Sequence, residues 1–204
     1  MDKKLLGLFA EPVGIYSLER EISTSEIDYV NLCLQNKRMT EGNFVSTETF
    51  VLEQDLFSNL KNFCMNALHD FYETILGETI KLRITQSWLT ESSETQWHHS
   101  HWHPNSVLSG VFYISTSEND SITFLKQISQ GHLLTATEDK KTYNVFNSSK
   151  WTIPAVQNNL VIFKSNLMHE VSPVFSGRRI SLAFNSFFAE NPGTIKELNY
   201  LPIY

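Results

Sequence analysis

The chain has 204 residues, of which 41% are hydrophobic and 19% are charged, and its formal net charge is -6. This length and composition predict one globular domain with a sizeable core and exclude a largely disordered chain. The acidic balance disfavours nucleic acid as a partner, because phosphate binding needs a basic face. No apolar run approaches the ~18 residues of a membrane-spanning helix, so no membrane partner is expected.

The first third of the chain is predicted to contain one strand and two helices. Residues 5–17 have the pattern of an extended N-terminal strand. A helix is predicted over residues 23–35, because it opens on a serine that is followed three residues later by glutamate. A longer helix is predicted over residues 52–76, where apolar residues recur at three- and four-residue steps, and Gly77 is expected to end it.

From residue 79 onward the apolar period changes to the alternation of β-strands. Two weaker strands are predicted at 143–147 and 171–175. The clearer predicted strands are 79–90, 107–115, 121–126, 159–164 and 179–188. Helices followed by a run of antiparallel strands predict an α+β, mainly β domain whose second half is a sandwich or barrel.

The densest chemical signal is the run of residues 98–103, which holds four of the seven histidines. In an extended stretch, His99, His101 and His103 project to one side, and neutral imidazole is the commonest protein metal ligand near pH 7. A further ligand must come from a distant segment, and His169 is well placed after the apolar strand 159–164. The alternative is a polar loop that packs on the neighbouring tryptophans.

The strand at 179–188 has two different faces. One face is apolar. The other consists of small or polar residues and one cation, namely Arg179, Ser181, Ala183 and Asn185. Such a face predicts an anionic occupant, because arginine pairs bidentately with carboxylate or phosphate. The alternative is an arginine that reaches solvent from the start of the strand. Tyr113 could donate a hydrogen bond into the same cavity or be a buried aromatic whose hydroxyl is satisfied elsewhere.

Together these residues resemble a known family. The string HxHPNS begins at His101, LSGVxY ends at Tyr113, and His169 and the triplet RIS at Arg179 follow. They resemble the 2-oxoglutarate/Fe(II)-dependent oxygenases found in phages and marine bacteria. The resemblance implies a double-stranded β-helix (jelly roll) with N-terminal helices packed on it. In a single domain of residues 1–204, the segment 1–78 would support a jelly-roll core at 79–188, with a C-terminal extension at 189–204.

The resemblance also implies the cofactors and their ligands. Fe(II) would be held by His101, His103 and His169, and the enzyme would use O2 and 2-oxoglutarate, with release of succinate and CO2. The distal carboxylate of 2-oxoglutarate would be bound by Arg179. The further cosubstrate candidates are Tyr113, Ser181 and Asn185. Hydroxylation of a protein side chain or a small molecule is the expected reaction. The expected location is the cytoplasm, or the host's cytoplasm for a phage-encoded chain, because the two cysteines, Cys33 and Cys64, fit a reducing compartment.

One departure from the wider superfamily leaves the metal open. The usual triad is HxD…H, and His103 stands at the carboxylate position of that pattern. Zinc is also well suited to three histidines and a water molecule, which makes a cupin-like zinc hydrolase, isomerase or lyase the alternative function. A non-catalytic phage or structural module is a third. His99 in a shifted pair and Asn105 are alternative ligands, and the sequence makes no prediction of oligomeric state.

Overall fold

The computed structural model describes residues 1–77, 79–126 and 142–203, and its fold is the predicted mainly β fold with two helices. The helices are α1 (Thr24–Gln35) and α2 (Ser58–Leu76). The strands are β1 (Val13–Ser17), β2 (Lys37–Met39), β3 (Phe44–Ser46), β4 (Leu82–Ser93), β5 (His98–His101), β6 (Leu108–Ser115), β7 (Ser121–Leu125), β8 (Lys150–Pro154), β9 (Asn159–Lys164), β10 (His169–Val171) and β11 (Arg178–Phe188). No helix among these residues is long and apolar enough to cross a membrane.

The strands form two antiparallel sheets. The larger sheet has the order β1-β9-β6-β11-β4-β3-β2, and the smaller has the order β5-β10-β7-β8. Strand β11 lies between β4 and β6, so the last strand of the chain occupies the middle of the larger sheet. In both sheets, strands from the start and the end of the strand-rich region therefore lie side by side.

The helices cover one face of the larger sheet. Helix α1 begins at the predicted capping box of Ser23 and Glu26, and α2 ends at Gly77 in the left-handed conformation. Leu60 and Phe71 of α2 belong to the same buried apolar cluster as strand residues that include Phe184. A second cluster is built from residues of β6, β7 and β9 with the loops that follow β8 and β9. The sheet is therefore buried on both faces, which leaves little freedom to the side chains between the sheets.

Several predicted elements differ from the structure. The N-terminal strand is confined to Val13–Ser17, and residues 52–57 lie largely in two short 3₁₀ turns that precede α2. The segment 143–147 is not a strand, and the expected strand at 171–175 lies earlier, at His169–Val171. The strands absent from the prediction, β2, β3, β5 and β8, are short or polar and lack the apolar alternation that identifies a strand from sequence.

Candidate metal and cosubstrate site

Three of the predicted metal ligands meet at one end of the cleft between the sheets. Antiparallel pairing of β5 with β10 sets His101 opposite His169. His103 lies two residues beyond β5, where its backbone N–H donates to the Ser165 carbonyl at 2.8 Å. The three imidazoles each offer a ligand nitrogen, and these atoms all lie within 4.8 Å of one another. The structure therefore brings together two segments that are 66 residues apart in sequence.

Backbone carbonyls orient two of these rings. His101 Nδ1 lies 2.7 Å from the His99 carbonyl oxygen, and His169 Nδ1 lies 2.9 Å from the Leu167 carbonyl oxygen. A carbonyl only accepts, so Nδ1 carries the proton in both rings and Nε2 keeps its lone pair. Metal-binding histidines in proteins typically have this kind of outer hydrogen bond. His103 is held differently, by ring contacts with His169 and Trp88.

Burial keeps these imidazoles neutral. Desolvation, followed by the neighbouring His101, lowers the pKa of His169 to about 3 and that of His103 to about 4. The pKa of His101 is lowered as well, chiefly by desolvation. Because only the neutral form has a free lone pair, the three rings are ready to bind a divalent cation at neutral pH.

A second histidine group shares His101. The register between β5 and β10 sets His98 opposite Val171 and His101 opposite His169, so β5 holds one extra residue and forms a bulge. His98, His99 and His101 offer a second set of mutually close ligand nitrogens. The sequence pointed to His99 but not to His98, whose ring stacks on His101 at 4.2 Å between centroids.

A cleft between the two sheets extends from the histidines. Its floor is the inner face of β4, β11 and β6, where residues paired across strands point the same way. The three rows of paired residues are Trp88 with Ala183 and Val111, Thr90 with Ser181 and Tyr113, and Ser92 with Arg179. The first row lies beside the imidazoles, since Trp88 and His103 are 6.0 Å apart between ring centroids. The cleft is therefore apolar near the histidines and polar at its far end.

Arg179 lies in this polar end and not in solvent, with 3% of its surface exposed. It already has a carboxylate partner, because Nη1 donates to Asp120 Oδ1 at 2.7 Å and to the Ser172 carbonyl at 3.1 Å. Its Nη2 lies 3.4 Å from Ser92 Oγ. No local pattern in the sequence indicates this ion pair, because it joins residues that are 59 positions apart.

Two buried polar atoms of the cleft have no protein partner. Among the described residues, Tyr113 Oη and Asn43 Nδ2 are buried without a hydrogen bond, and both side chains line the cleft. Burial also raises the pKa of Tyr113 above its ordinary value, so its hydroxyl is a donor at neutral pH. Buried polar groups without partners are costly and call for a ligand or a water molecule. Three imidazoles at one end and unpaired donors at the other fit a divalent metal with an oxygen-rich organic anion.

The remaining predicted residues lie apart from this arrangement or at its edge. Ser181 lines the cleft between Thr90 and Tyr113. Asn185 is outside the lining and accepts a hydrogen bond from Ser109 Oγ at 2.9 Å. Asn105 is exposed in a turn with φ 56°. Asn43 had no sequence signal, since it lies in a short polar hairpin, whereas the alternation of Trp88, Thr90 and Ser92 could have identified a polar face.

These features define a β-sandwich protein with a candidate metal centre at one end of its internal cleft. Residues 86–185 match the model of the family described as "Putative 2OG-Fe(II) oxygenase". Over these residues, just under half of the chain, the sequence is similar to this family, whose description names Fe(II) and 2-oxoglutarate. No curated protein matches the chain in sequence.

Solved structures support the same fold. A prolyl-4-hydroxylase from Pseudomonas putida is 12% identical with a TM-score of 0.55, over 87% of this chain and 92% of that one. The non-heme alpha ketoglutarate dependent epimerase SnoN from nogalamycin biosynthesis is 12% identical with a TM-score of 0.61, over 88% and 77%. A 2OG-Fe(II) oxygenase family oxidoreductase from Burkholderia pseudomallei is 11% identical with a TM-score of 0.55, over 79% and 76%. At these identities the similarity shows the fold alone.

Proposed function

We propose that this protein is an Fe(II)- and 2-oxoglutarate-dependent dioxygenase with His101, His103 and His169 as its metal ligands. The observation that carries the proposal is the arrangement of the cleft. Three neutral imidazoles converge at one end, and Arg179 lies with the unpaired Tyr113 hydroxyl at the other. A keto acid with a distal carboxylate has matching ends, one that chelates a metal and one that accepts hydrogen bonds.

Each end of the cleft has a distinct task in this proposal. The imidazoles hold the cation, and bound Fe(II) supplies the dioxygen-dependent decarboxylation of 2-oxoglutarate to succinate and CO2. Arg179 and Tyr113 donate to the distal carboxylate, with the Ser181 hydroxyl between Thr90 and Tyr113 on the same floor. Trp88, in the row nearest the histidines, provides an apolar wall beside His103 at the metal end. Asn185, which lies outside the cleft lining, supports this floor through Ser109.

The proposed reaction is hydroxylation of a protein side chain or a small molecule. Both substrate classes stay within the proposal, since the structurally similar proteins include a prolyl-4-hydroxylase and an enzyme solved with hygromycin B bound. Trp97 and Trp102 flank the histidine-bearing strand β5 and are 39% and 50% exposed. Their faces are available to pack against a substrate at that end of the cleft.

Anaerobic titration with Fe(II) and then 2-oxoglutarate tests the ligand assignment. A charge-transfer band on addition of 2-oxoglutarate, followed by succinate release in air, is the expected result. His103→Ala and His169→Ala should abolish iron binding, whereas His99→Ala should preserve it and is the matched control. Loss of iron in His99→Ala with retention in His169→Ala would show that the shifted histidine group binds the metal instead.

The donor set also favours a second candidate, a cupin-like zinc enzyme. Three histidines with a water molecule form a common catalytic zinc site, in which the metal lowers the pKa of the bound water. Elemental analysis of protein purified without added metal separates the two functions. Zinc that iron cannot displace, together with no binding of 2-oxoglutarate, would support the zinc hydrolase, isomerase or lyase and reject the dioxygenase.

A further inference from the structure

We propose that Asn43 donates a hydrogen bond from Nδ2 to the distal carboxylate of 2-oxoglutarate and thereby helps the cleft select a dicarboxylic keto acid. This inference rests on the proposed dioxygenase function. Asn43 lies in the hairpin between β2 and β3, outside the family match at residues 86–185. Asn43 would thus be a residue of the N-terminal region in a site that is otherwise built from the jelly-roll strands.

The hairpin holds the Asn43 amide in one orientation. The Thr40 hydroxyl donates to Asn43 Oδ1, and the Thr40 backbone N–H donates to the Asn43 carbonyl at 2.8 Å. Because Oδ1 is engaged by Thr40, Nδ2 is directed away from the hairpin. The Asn43 side chain is completely buried and lines the cleft, and its Nδ2 has no hydrogen-bond partner.

The hairpin tip is also fixed against the histidine-bearing segment. The Trp97 backbone N–H donates to the Gly42 carbonyl at 3.0 Å. Gly42 has φ +95°, and a Cβ at this position would lie 2.7 Å from the Trp97 carbonyl oxygen, so only glycine allows so close an approach. The tip therefore cannot turn Asn43 toward solvent without breaking its contact with the segment that leads into β5.

The register of the larger sheet aligns Asn43 with Arg179. Phe44 pairs with Glu91 in β4, and continuing this antiparallel register by one residue sets Asn43 opposite Ser92. Ser92 in turn pairs with Arg179 of β11. Asn43 thus extends the row of the floor that holds the guanidinium, at the polar end of the cleft. The next row contains Tyr113, whose hydroxyl is the other unpaired donor.

The chemistry of these groups identifies the missing partner. An amide nitrogen has only N–H donors, and Arg179 provides a positive charge whose other side is occupied by Asp120. A carboxylate offers about four lone-pair sites on two oxygens, which is enough to accept from the amide, the phenol and the guanidinium together. A methyl group in the same place would leave the amide and the phenol unpaired, so the site discriminates against keto acids that lack the second carboxylate.

A double-mutant cycle that combines a protein change with a ligand change tests this inference. The ligands are 2-oxoglutarate and 2-oxopentanoate, which has a methyl group in place of the distal carboxylate. Binding of each is measured anaerobically to the Fe(II)-loaded full chain. Asn43→Ala should raise the Kd for 2-oxoglutarate by about 10- to 100-fold. The Kd for 2-oxopentanoate should stay within about twofold of its value in the unchanged protein.

Asn43→Asp provides a second variant that keeps the acceptor for Thr40. It replaces the donor with a negative charge, so 2-oxoglutarate should bind more weakly than to Asn43→Ala. The control is Asn191→Ala, an exposed residue of the C-terminal segment, which should bind both ligands as the unchanged protein does. Equal weakening of both ligands by Asn43→Ala, or no weakening of either, would overturn the inference. If the unchanged metal-loaded protein binds no 2-oxoglutarate, the proposed function itself fails and the role of Asn43 fails with it.

Discussion

Asp120 forms a buried ion pair with Arg179, and we predict that removing its charge lowers the stability of the protein but strengthens 2-oxoglutarate binding. The Asp120 side chain is fully buried, and the Arg179 side chain is 4% exposed. Asp120→Asn keeps the size of the side chain and one oxygen that can accept from Arg179 Nη1. It removes the negative charge and the second oxygen, which accepts from the Ser117 backbone N–H at 2.6 Å. The guanidinium then retains its bonds to the Ser172 carbonyl and Ser92 without a counter-ion in its buried environment.

The expected cost to the ligand-free protein is large. Removing one partner of a buried ion pair typically costs about 3–5 kcal/mol in the free energy of unfolding, because the other charge is left uncompensated. The lower end applies here, because Arg179 borders a cleft that admits water and keeps two other hydrogen bonds. A loss of about 3 kcal/mol corresponds to a fall of about 6–12 °C in Tm for a chain of this length.

The same change should strengthen 2-oxoglutarate binding. In the unchanged protein, Asp120 and the distal carboxylate would share one guanidinium, and their negative charges repel each other. Removing one unit charge from within a few ångströms of the ligand should tighten Kd by about tenfold, which is about 1.4 kcal/mol. The ligand should therefore raise the Tm of Asp120→Asn by more than it raises that of the unchanged protein.

Chemical denaturation and calorimetric titration with metal-loaded protein measure both effects. Ser172→Ala is the matched control, because it removes a side-chain hydroxyl and leaves the carbonyl that Arg179 contacts. Lower stability together with weaker 2-oxoglutarate binding in Asp120→Asn would refute the reasoning. That result would mean that Asp120 positions Arg179 and does not compete with the ligand for it.

Three further changes give measurable outcomes. Tyr113→Phe removes a buried hydroxyl that has no partner, so it should raise the ligand-free stability by about 1 kcal/mol and weaken 2-oxoglutarate; lower stability in denaturation would contradict this. Metal-free protein should lose stability as the pH falls from about 6.5 toward 4, because His103 and His169 bind protons in the unfolded chain but not when buried. His169→Gln should reduce this pH dependence of the free energy of unfolding, and an unchanged dependence would refute the explanation. His103→Asp should shift metal preference from zinc toward iron in competition measured by elemental analysis, and an unchanged zinc-to-iron ratio would argue against His103 as a ligand.

The sequence predicted those parts of the fold that depend on local pattern. The capping box of α1, the end of α2 at Gly77 and the strand at 159–164 each follow from residues within one element, and the structure has them there. The 3₁₀ turns before α2 were predicted as helix because their apolar spacing continues that of the helix. Strand β5 was not predicted as an element, because a run of histidines has no apolar alternation.

The site was predictable only where a residue type itself indicates chemistry. His101, His103 and His169 were identifiable because histidine clusters are rare and have few structural uses, and they meet as expected. Asp120 and Asn43 are ordinary turn and hairpin residues in the sequence. Their importance comes from long-range pairing, in one case with Arg179 and in the other with the row of the sheet beside Ser92.

Charge balance connects the unusual ligand set to the rest of the cleft. Three neutral imidazoles leave a divalent cation with its full charge of two, whereas a triad with one carboxylate would leave one. The pair of Arg179 and Asp120 contributes no net charge, so a 2-oxoglutarate dianion would bring the whole buried site to neutrality. Because an uncompensated buried charge is costly, a dianionic ligand is the partner we propose for the metal-loaded cleft. His103 at the carboxylate position and Asp120 beside the arginine are therefore compatible features of one proposed site.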